Sequence, residues 1–145
     1  MKILLAVDGS PFTIRAVQYL TTHLGMFRGT SELHLLHISA PLPMGMAMTH
    51  ERAVITPDDV DAYYRKEAVE SLAPAEKLLN DAAIAFTTFS RTGQIAHEIN
   101  GHAVKHGIDM IVMGSHGHGV LASVVLGSVT TKVLATSAVP VLIVR

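Results

Sequence analysis

The residues best suited to chemistry lie in one stretch, GSHGHGVLASVVLGSVT, residues 114–130. Its framing glycines are Gly114, Gly117 and Gly127, and Ser128 directly follows the last. After Asp109 there is no further Asp or Glu, so the stretch sits in an acid-free tail. Glycine lets a ligand approach backbone N–H groups closely and tolerates positive φ. Successive N–H groups in such a turn form an anion-binding concavity. A helix beginning just after Gly127 would add free N–H groups and the positive end of its dipole. The chemistry indicated is phosphate binding. The same glycines also suit a purely structural strand-to-helix turn, with the apolar run 120–126 as a packed loop, and the stretch by itself does not decide between them.

Other chemistries find less support. Of the nine histidines, His102 and His106 stand at i, i+4, a spacing that can hold one ion. His97-Glu98 ahead of His102 gives HExxxH rather than HExxH, and no acidic third ligand is evident. These histidines read as solvated or capping, and no metal is expected. No lysine follows a glycine, so Walker A is absent. The string from Gly117 to Ala122 fits G-x-G-x-x-A, but the acid that a dinucleotide site wants about 20 residues on is missing. Asp8 is solitary, unlike the acid pairs of a phosphoaspartate receiver. No serine–histidine–acid triad is recognisable by spacing, and no paired carboxylates lie near the glycine loop. Ser115 and Ser128 read as hydroxyls that bind phosphate oxygens, and no catalytic residue is assigned.

These residues need elements to position them. The apolar run 3–7 ends in Asp8-Gly9-Ser10-Pro11, a pattern for a strand buried on both faces. Ser10 caps and Pro11 opens a helix to about residue 23 or 24. A second strand covers 33–38. Residues 42–56 read as an irregular loop with Met44, Met46 and Met48, suited to a mobile linker or a contact surface. Thr56-Pro57-Asp58-Asp59 opens a helix reaching about residue 80 or 82, with Pro74 expected to kink it near 70–73 or split it in two. An edge strand is expected over 84–91, a helix over 94–106, a strand over 109–113, a helix over 128–137 and a last strand over 139–144. Strands alternating with helices imply one domain, residues 1–145, with an open doubly wound parallel five-stranded sheet and helices on both faces. Ligands of such α/β folds bind beyond the carboxyl ends of strands, where strand order reverses. Asp8, His37, Ile38 and the turn from Gly114 to Gly117 all fall at strand ends.

Composition narrows the partners. A net charge of −1 with no basic patch does not imply nucleic acid. The chain has no cysteine, hence no disulfide or thiolate chemistry. The opening apolar run is short and interrupted by Asp8, unlike a signal peptide. No stretch approaches the roughly 18 apolar residues of a membrane span. A soluble, cytoplasmic protein is expected.

Taken together, ILLAVDGS, LHLLHIS, GIDMIVMGSHG and LGSVTTKVLATSAVPVLIVR resemble the universal stress protein family, in its ATP-binding branch. The family signature G-x2-G-x9-G-[ST] is met in full by Gly114, Gly117, Gly127 and Ser128. The resemblance spans the chain. It implies a Rossmann-like fold of the adenine nucleotide alpha hydrolase kind, bound ATP or AMP with Mg as a possible companion, a role in stress response or signalling, and at most slow ATP hydrolysis or autophosphorylation. By motif, Asp8 would meet ribose, with Ala6 and Val7 beside the base. Ile38 and His37 would meet adenine. Met113, Gly114, Ser115, His116 and Gly117 would line the ribose-phosphate turn, and Gly127, Ser128, Val129 and Thr130 would hold phosphates. The resemblance also implies a homodimer paired through the strand from Val139 to Val144. His116 and His118 stand where many members carry Arg or Leu, which implies a looser grip on phosphate above histidine's pKa of about 6.5. On this reading Gly114→Ala or Gly117→Val abolishes nucleotide binding in a folded protein. The competing reading is a nucleotide-independent, chaperone-like dimer whose glycines serve only the turn.

Overall fold

The computed structural model describes residues 1–23, 25, 32–42, 56–118 and 125–145. The Met-rich loop and most of the apolar run 120–126 lie outside these residues. Along the described chain come β1 (Lys2–Val7), α1 (Pro11–His23), β2 (Glu32–Ser39), α2 (Pro57–Asp81), β3 (Thr87–Thr92), α3 (Ile95–His106), β4 (Met110–Gly114), α4 (Ser128–Thr136) and β5 (Val141–Val144). The strands form one parallel sheet in the order β3-β2-β1-β4-β5. The chain first winds outward from β1 to β3, then α3 carries it back to β4 on the other side of β1. The point of reversal lies between β1 and β4, and the expected doubly wound architecture holds.

Continuous apolar runs in β1 and β4 follow from burial on both faces, and β2, buried likewise, interrupts its leucines with the buried His34 and His37. On one face Ile3, Leu5, Leu33, Leu35 and Val112 pack with Val17 and Leu20 of α1 and Leu72, Ala75 and Leu79 of α2. On the other, Leu4, Leu36, Ile38, Ile111 and Met113 meet Ile99 and Ala103 of α3 and Val133 of α4. The period of two along each strand sends neighbouring residues to opposite cores.

Two boundaries differ from those expected. α2 runs through Pro74 as a single helix of 25 residues. The proline sits on the exposed face while Leu72, Ala75 and Leu79 are buried, so packing overrides the bond that proline forfeits. The hydrogen bond it cannot donate would have gone to Glu70, an exposed residue whose carbonyl water can serve. The helix start is reinforced by a capping box. Asp59 N–H donates to Thr56 Oγ1 at 3.2 Å and Thr56 N–H donates to Asp59 Oδ2 at 2.9 Å. The Thr56 hydroxyl and N–H hold the Asp59 carboxyl below its ordinary range. β3 begins at Thr87 rather than residue 84, because Ala83 takes φ 54° and Ile84 N–H returns to Leu79 O at 2.9 Å, closing α2. β3 is an edge strand, as its loose alternation suggested. His102 is buried and stacks on His106, which corrects the solvated or capping reading.

Leu79 is wholly buried whereas Leu134 on α4 is 43% exposed. Leu79→Ala is expected to lower unfolding free energy by about 2–5 kcal/mol. Leu134→Ala should stay within about 0.5 kcal/mol. Urea denaturation of the two variants checks the assignment of the core.

Candidate functional site

A cleft of about 240 Å³ opens at the reversal point, above the carboxyl ends of β1 and β4. Its walls come from separate parts of the chain. β1 and the turn after it supply Ala6, Val7 and Asp8; β2 supplies Leu36 and Ile38; α1 supplies Thr13. Ile95 and Ile99 of α3 form an apolar side. Met113, Gly114, His116 and Gly117 lead out of β4, and Gly127, Ser128, Val129 and Thr130 open α4.

Asp8 is fixed from both directions. Its Oδ1 accepts the Ser10 N–H at 2.9 Å and the Thr13 hydroxyl. Ser10 caps α1, accepting the Thr13 N–H on Oγ at 3.3 Å and the Ile14 N–H on its carbonyl at 3.1 Å. Gly9 makes the turn at φ 77°, a left-handed conformation that glycine adopts without strain. His118 donates from Nε2 to the Asp8 carbonyl at 2.6 Å, tying the glycine stretch to the end of β1.

The signature glycines act by space, not by unusual φ; among described glycines only Gly9 and Gly107 have positive φ. A Cβ on Gly114 would lie 2.7 Å from the Phe12 carbonyl carbon and 2.9 Å from its oxygen. A Cβ on Gly117 would lie 2.8 Å from Asp8 Oδ2, inside the cleft. Gly127 N–H donates to Ser115 O at 2.8 Å and its Cβ would come within 3.2 Å of His116 Cα. Gly127 is also the N-cap of α4 and gives it no side-chain cap. The first N–H groups of α4 are therefore left for water or an anion. Thr130 turns its hydroxyl inward to Gly114 O at 3.1 Å, linking α4 to β4.

All the residues expected from sequence line this cleft except His37 and Ser115. His37 has the odd parity of β2 and faces away, with Nδ1 2.9 Å from Val7 O and Nε2 3.3 Å from Ser39 Oγ. Ser115 is buried, its N–H donating to Val144 O and its Oγ 3.1 Å from His116 Nδ1. Thr13, Leu36, Ile95 and Ile99 were not singled out from sequence. Leu36 could have been found, since it shares the strand face of Ile38. The i, i+4 pair Ile95 and Ile99 is indistinguishable from ordinary core in the sequence alone.

A family model described as the universal stress protein family matches residues 1–145. The universal stress protein YxiE of Bacillus subtilis is 32% identical over 150 residues, covering 99% of this chain and 98% of that protein. The structure of MJ0577 from Methanocaldococcus jannaschii superposes with a TM-score of 0.80 at 27% identity, covering 99% of this chain and 94% of the other. The universal stress protein from Archaeoglobus fulgidus in complex with dAMP gives 0.67 at 20%, covering 100% and 98%. The Arabidopsis thaliana family member At3g01520 with AMP bound gives 0.68 at 16%, covering 99% and 90%.

The geometry changes what the glycine substitutions test. Gly114→Ala forces the α1 backbone away from β4, and an overpacking cost of about 1–3 kcal/mol is expected. Gly117→Ala sets its Cβ against the Asp8 carboxylate, which must shift on its Ser10 and Thr13 hydrogen bonds, and a smaller cost of about 1 kcal/mol is expected. Thermal unfolding monitored by circular dichroism separates the two.

Proposed function

The chain belongs to the universal stress protein family, and from that premise we propose that the cleft binds an adenine nucleotide, ATP or AMP, whose occupancy sets the state of a stress-response module. The observation that carries this reading is the placement of the complete signature. Gly114, Gly117, Gly127 and Ser128 all line the cleft, and Gly117 lies against the Asp8 carboxylate. Relatives of the same fold hold dAMP and AMP.

The roles follow from chemistry. Leu36, Ile38, Ile95 and Ile99 offer an apolar slot to a planar base. Backbone groups of β1 and β2 beside it can read the edge of that base. Asp8 is an acceptor for ribose hydroxyls, held still by Ser10 and Thr13. Phosphates fit the turn at Gly117 and the open end of α4, where N–H groups and the Ser128 hydroxyl converge on negative charge. His116, against the Phe12 ring at 5.0 Å, is the basic side chain nearest this path among the lining residues. Magnesium would arrive with ATP as its phosphate-bound complex. Among the lining residues the ionisable side chains are Asp8, assigned here to ribose, and His116, and binding rather than turnover is the role proposed.

The proposal extends to a homodimer paired along β5. That strand is the sheet edge, apolar and partly exposed throughout. An uncovered apolar edge invites pairing with a second chain.

Calorimetric titration of nucleotide-stripped protein with ATP–Mg²⁺, and with AMP in parallel, tests the binding. Micromolar ATP affinity, weaker for AMP, is expected, and Gly117→Val should weaken ATP by at least about tenfold, or about 1.4 kcal/mol. Undiminished affinity in the folded variant would refute the placement of the phosphates. Sedimentation at micromolar concentration should give the mass of a dimer, and a monomer there would remove β5 pairing from the proposal.

A further inference from the structure

The face of the sheet covered by α3 buries a second concentration of reactive side chains, toward the amino ends of the strands and away from the cleft. His34 on β2 and His102 and His106 on α3 each bring a ring nitrogen within 4.8 Å of the others. His34 Nδ1 and His102 Nε2 are 2.9 Å apart. The rings of His102 and His106 stack with centroids 4.1 Å apart and planes 22° from parallel. Phe89 of β3 packs against all three rings. His34 and His102 are 3% and 2% exposed, and His106 is half-buried, leaving the approach on its side.

The hydrogen positions follow from the partners. His34 Nε2 lies 3.0 Å from Glu32 Oε1, and an ionised carboxylate only accepts. His34 therefore carries its proton on Nε2, and in the neutral ring Nδ1 presents a lone pair. His102 Nε2–H donates to that lone pair. His102 Nδ1 is then a bare acceptor, buried with no hydrogen-bond partner, and His106 Nε2 is also buried and unpartnered. Buried polar atoms are normally satisfied, so the unpartnered His106 Nε2, beside the His34–His102 hydrogen bond, asks for a ligand that the protein itself does not supply.

We propose that His34, His102 and His106 form a binding site for a late first-row divalent cation, with zinc as the type case. Three imidazoles and a water complete a tetrahedral zinc sphere, and Zn–N bonds of about 2.0–2.1 Å need ligand nitrogens only a little over 3 Å apart. The His34 and His102 nitrogens are already 2.9 Å apart, and the three residues offer ligand atoms within 4.8 Å of one another, so side-chain movement must close the rest of that gap. Glu32 holds the outer N–H of His34, the carboxylate–histidine arrangement that orients metal-bound imidazole. Entry costs no net proton: the hydrogen of His102 moves from Nε2 to Nδ1 as Nε2 turns to the metal. Burial, followed by the charges of His106 and His34, lowers the His102 pKa to about 4, so its ring is neutral at pH 7. Lys2, Arg91 and Lys105 also surround the cluster and oppose a cation, with Glu32 as the local counter-charge. Affinity must then come from bonding to nitrogen, which favours zinc, nickel or copper over magnesium or calcium.

The test is a titration of untagged, chelator-stripped protein with Co²⁺ and then Zn²⁺. One cobalt per chain with the intense visible bands of tetrahedral coordination, bleached by zinc, is expected. His106→Gln removes a ligand at the half-buried position and should abolish the bands. Glu32→Gln changes a partly exposed carboxylate, keeps all three rings, and should weaken zinc by about 10–100-fold. Circular dichroism establishes that both variants are folded. Absence of stoichiometric cobalt and zinc binding in the unmodified chain would overturn the proposal. So would unchanged binding in both variants, which would place the metal on other histidines.

Discussion

The architecture hinges on how closely the start of α1 crosses the end of β4. The Phe12 backbone lies over Gly114 with no room for even a methyl group. This approach brings β1, α1 and β4 together at the point where the winding of the sheet reverses. It sets Asp8 and Thr13 on one side of the opening and the exit of β4 on the other. Widen that crossing and Thr130 loses its hold on Gly114 O, Ser115 shifts on Val144, and α4 no longer starts where it does. The cleft thus depends on a packing contact at its own wall, where Gly114 meets Phe12. The glycine that looks most like a ligand residue in the sequence serves the fold first.

Much of this was legible because period and punctuation agree in this chain. The runs ending at Val7, Ser39 and Gly114 carry no polar alternation where both faces are covered, and each is followed by residues that turn the chain. The signature glycines mark a close approach whatever its partner. What the sequence concealed was any fact that depends on one element lying across another. Pro74 looks like a break until Leu72, Ala75 and Leu79 are seen buried together. His37 and Ile38 look equally placed for a ligand, yet strand parity sends them to opposite faces. The pairing of His102 with His106 was visible, but its third member lies 68 residues away from His102 and joins only because α3 packs over β2.

α3 links the two regions of chemistry. Its first turns contribute Ile95 and Ile99 to the cleft, and its last turns contribute His102 and His106 to the buried cluster. Ala103, facing the same core, and the left-handed Gly107 that ends the helix fix its register on the sheet. A rotation of α3 sufficient to reposition Ile99 would also move His102, one turn further on. The helix is short, 12 residues, and rests on Leu4, Leu36 and Ile111 along its length. Packing of this density moves as a unit rather than bending locally.

Gly127 carries a thermodynamic implication. A helix capped by its own serine or aspartate has that contribution written into the chain and independent of surroundings. α4 starts on a residue with no side chain, so its opening N–H groups take whatever the solution offers. Any anion that settles there enters the stability of the fold by mass action, about 1.4 kcal/mol for each tenfold rise in its concentration above the dissociation constant. The firmness of α4, and of the β4–β5 edge it braces, is then a function of the medium as well as of the sequence.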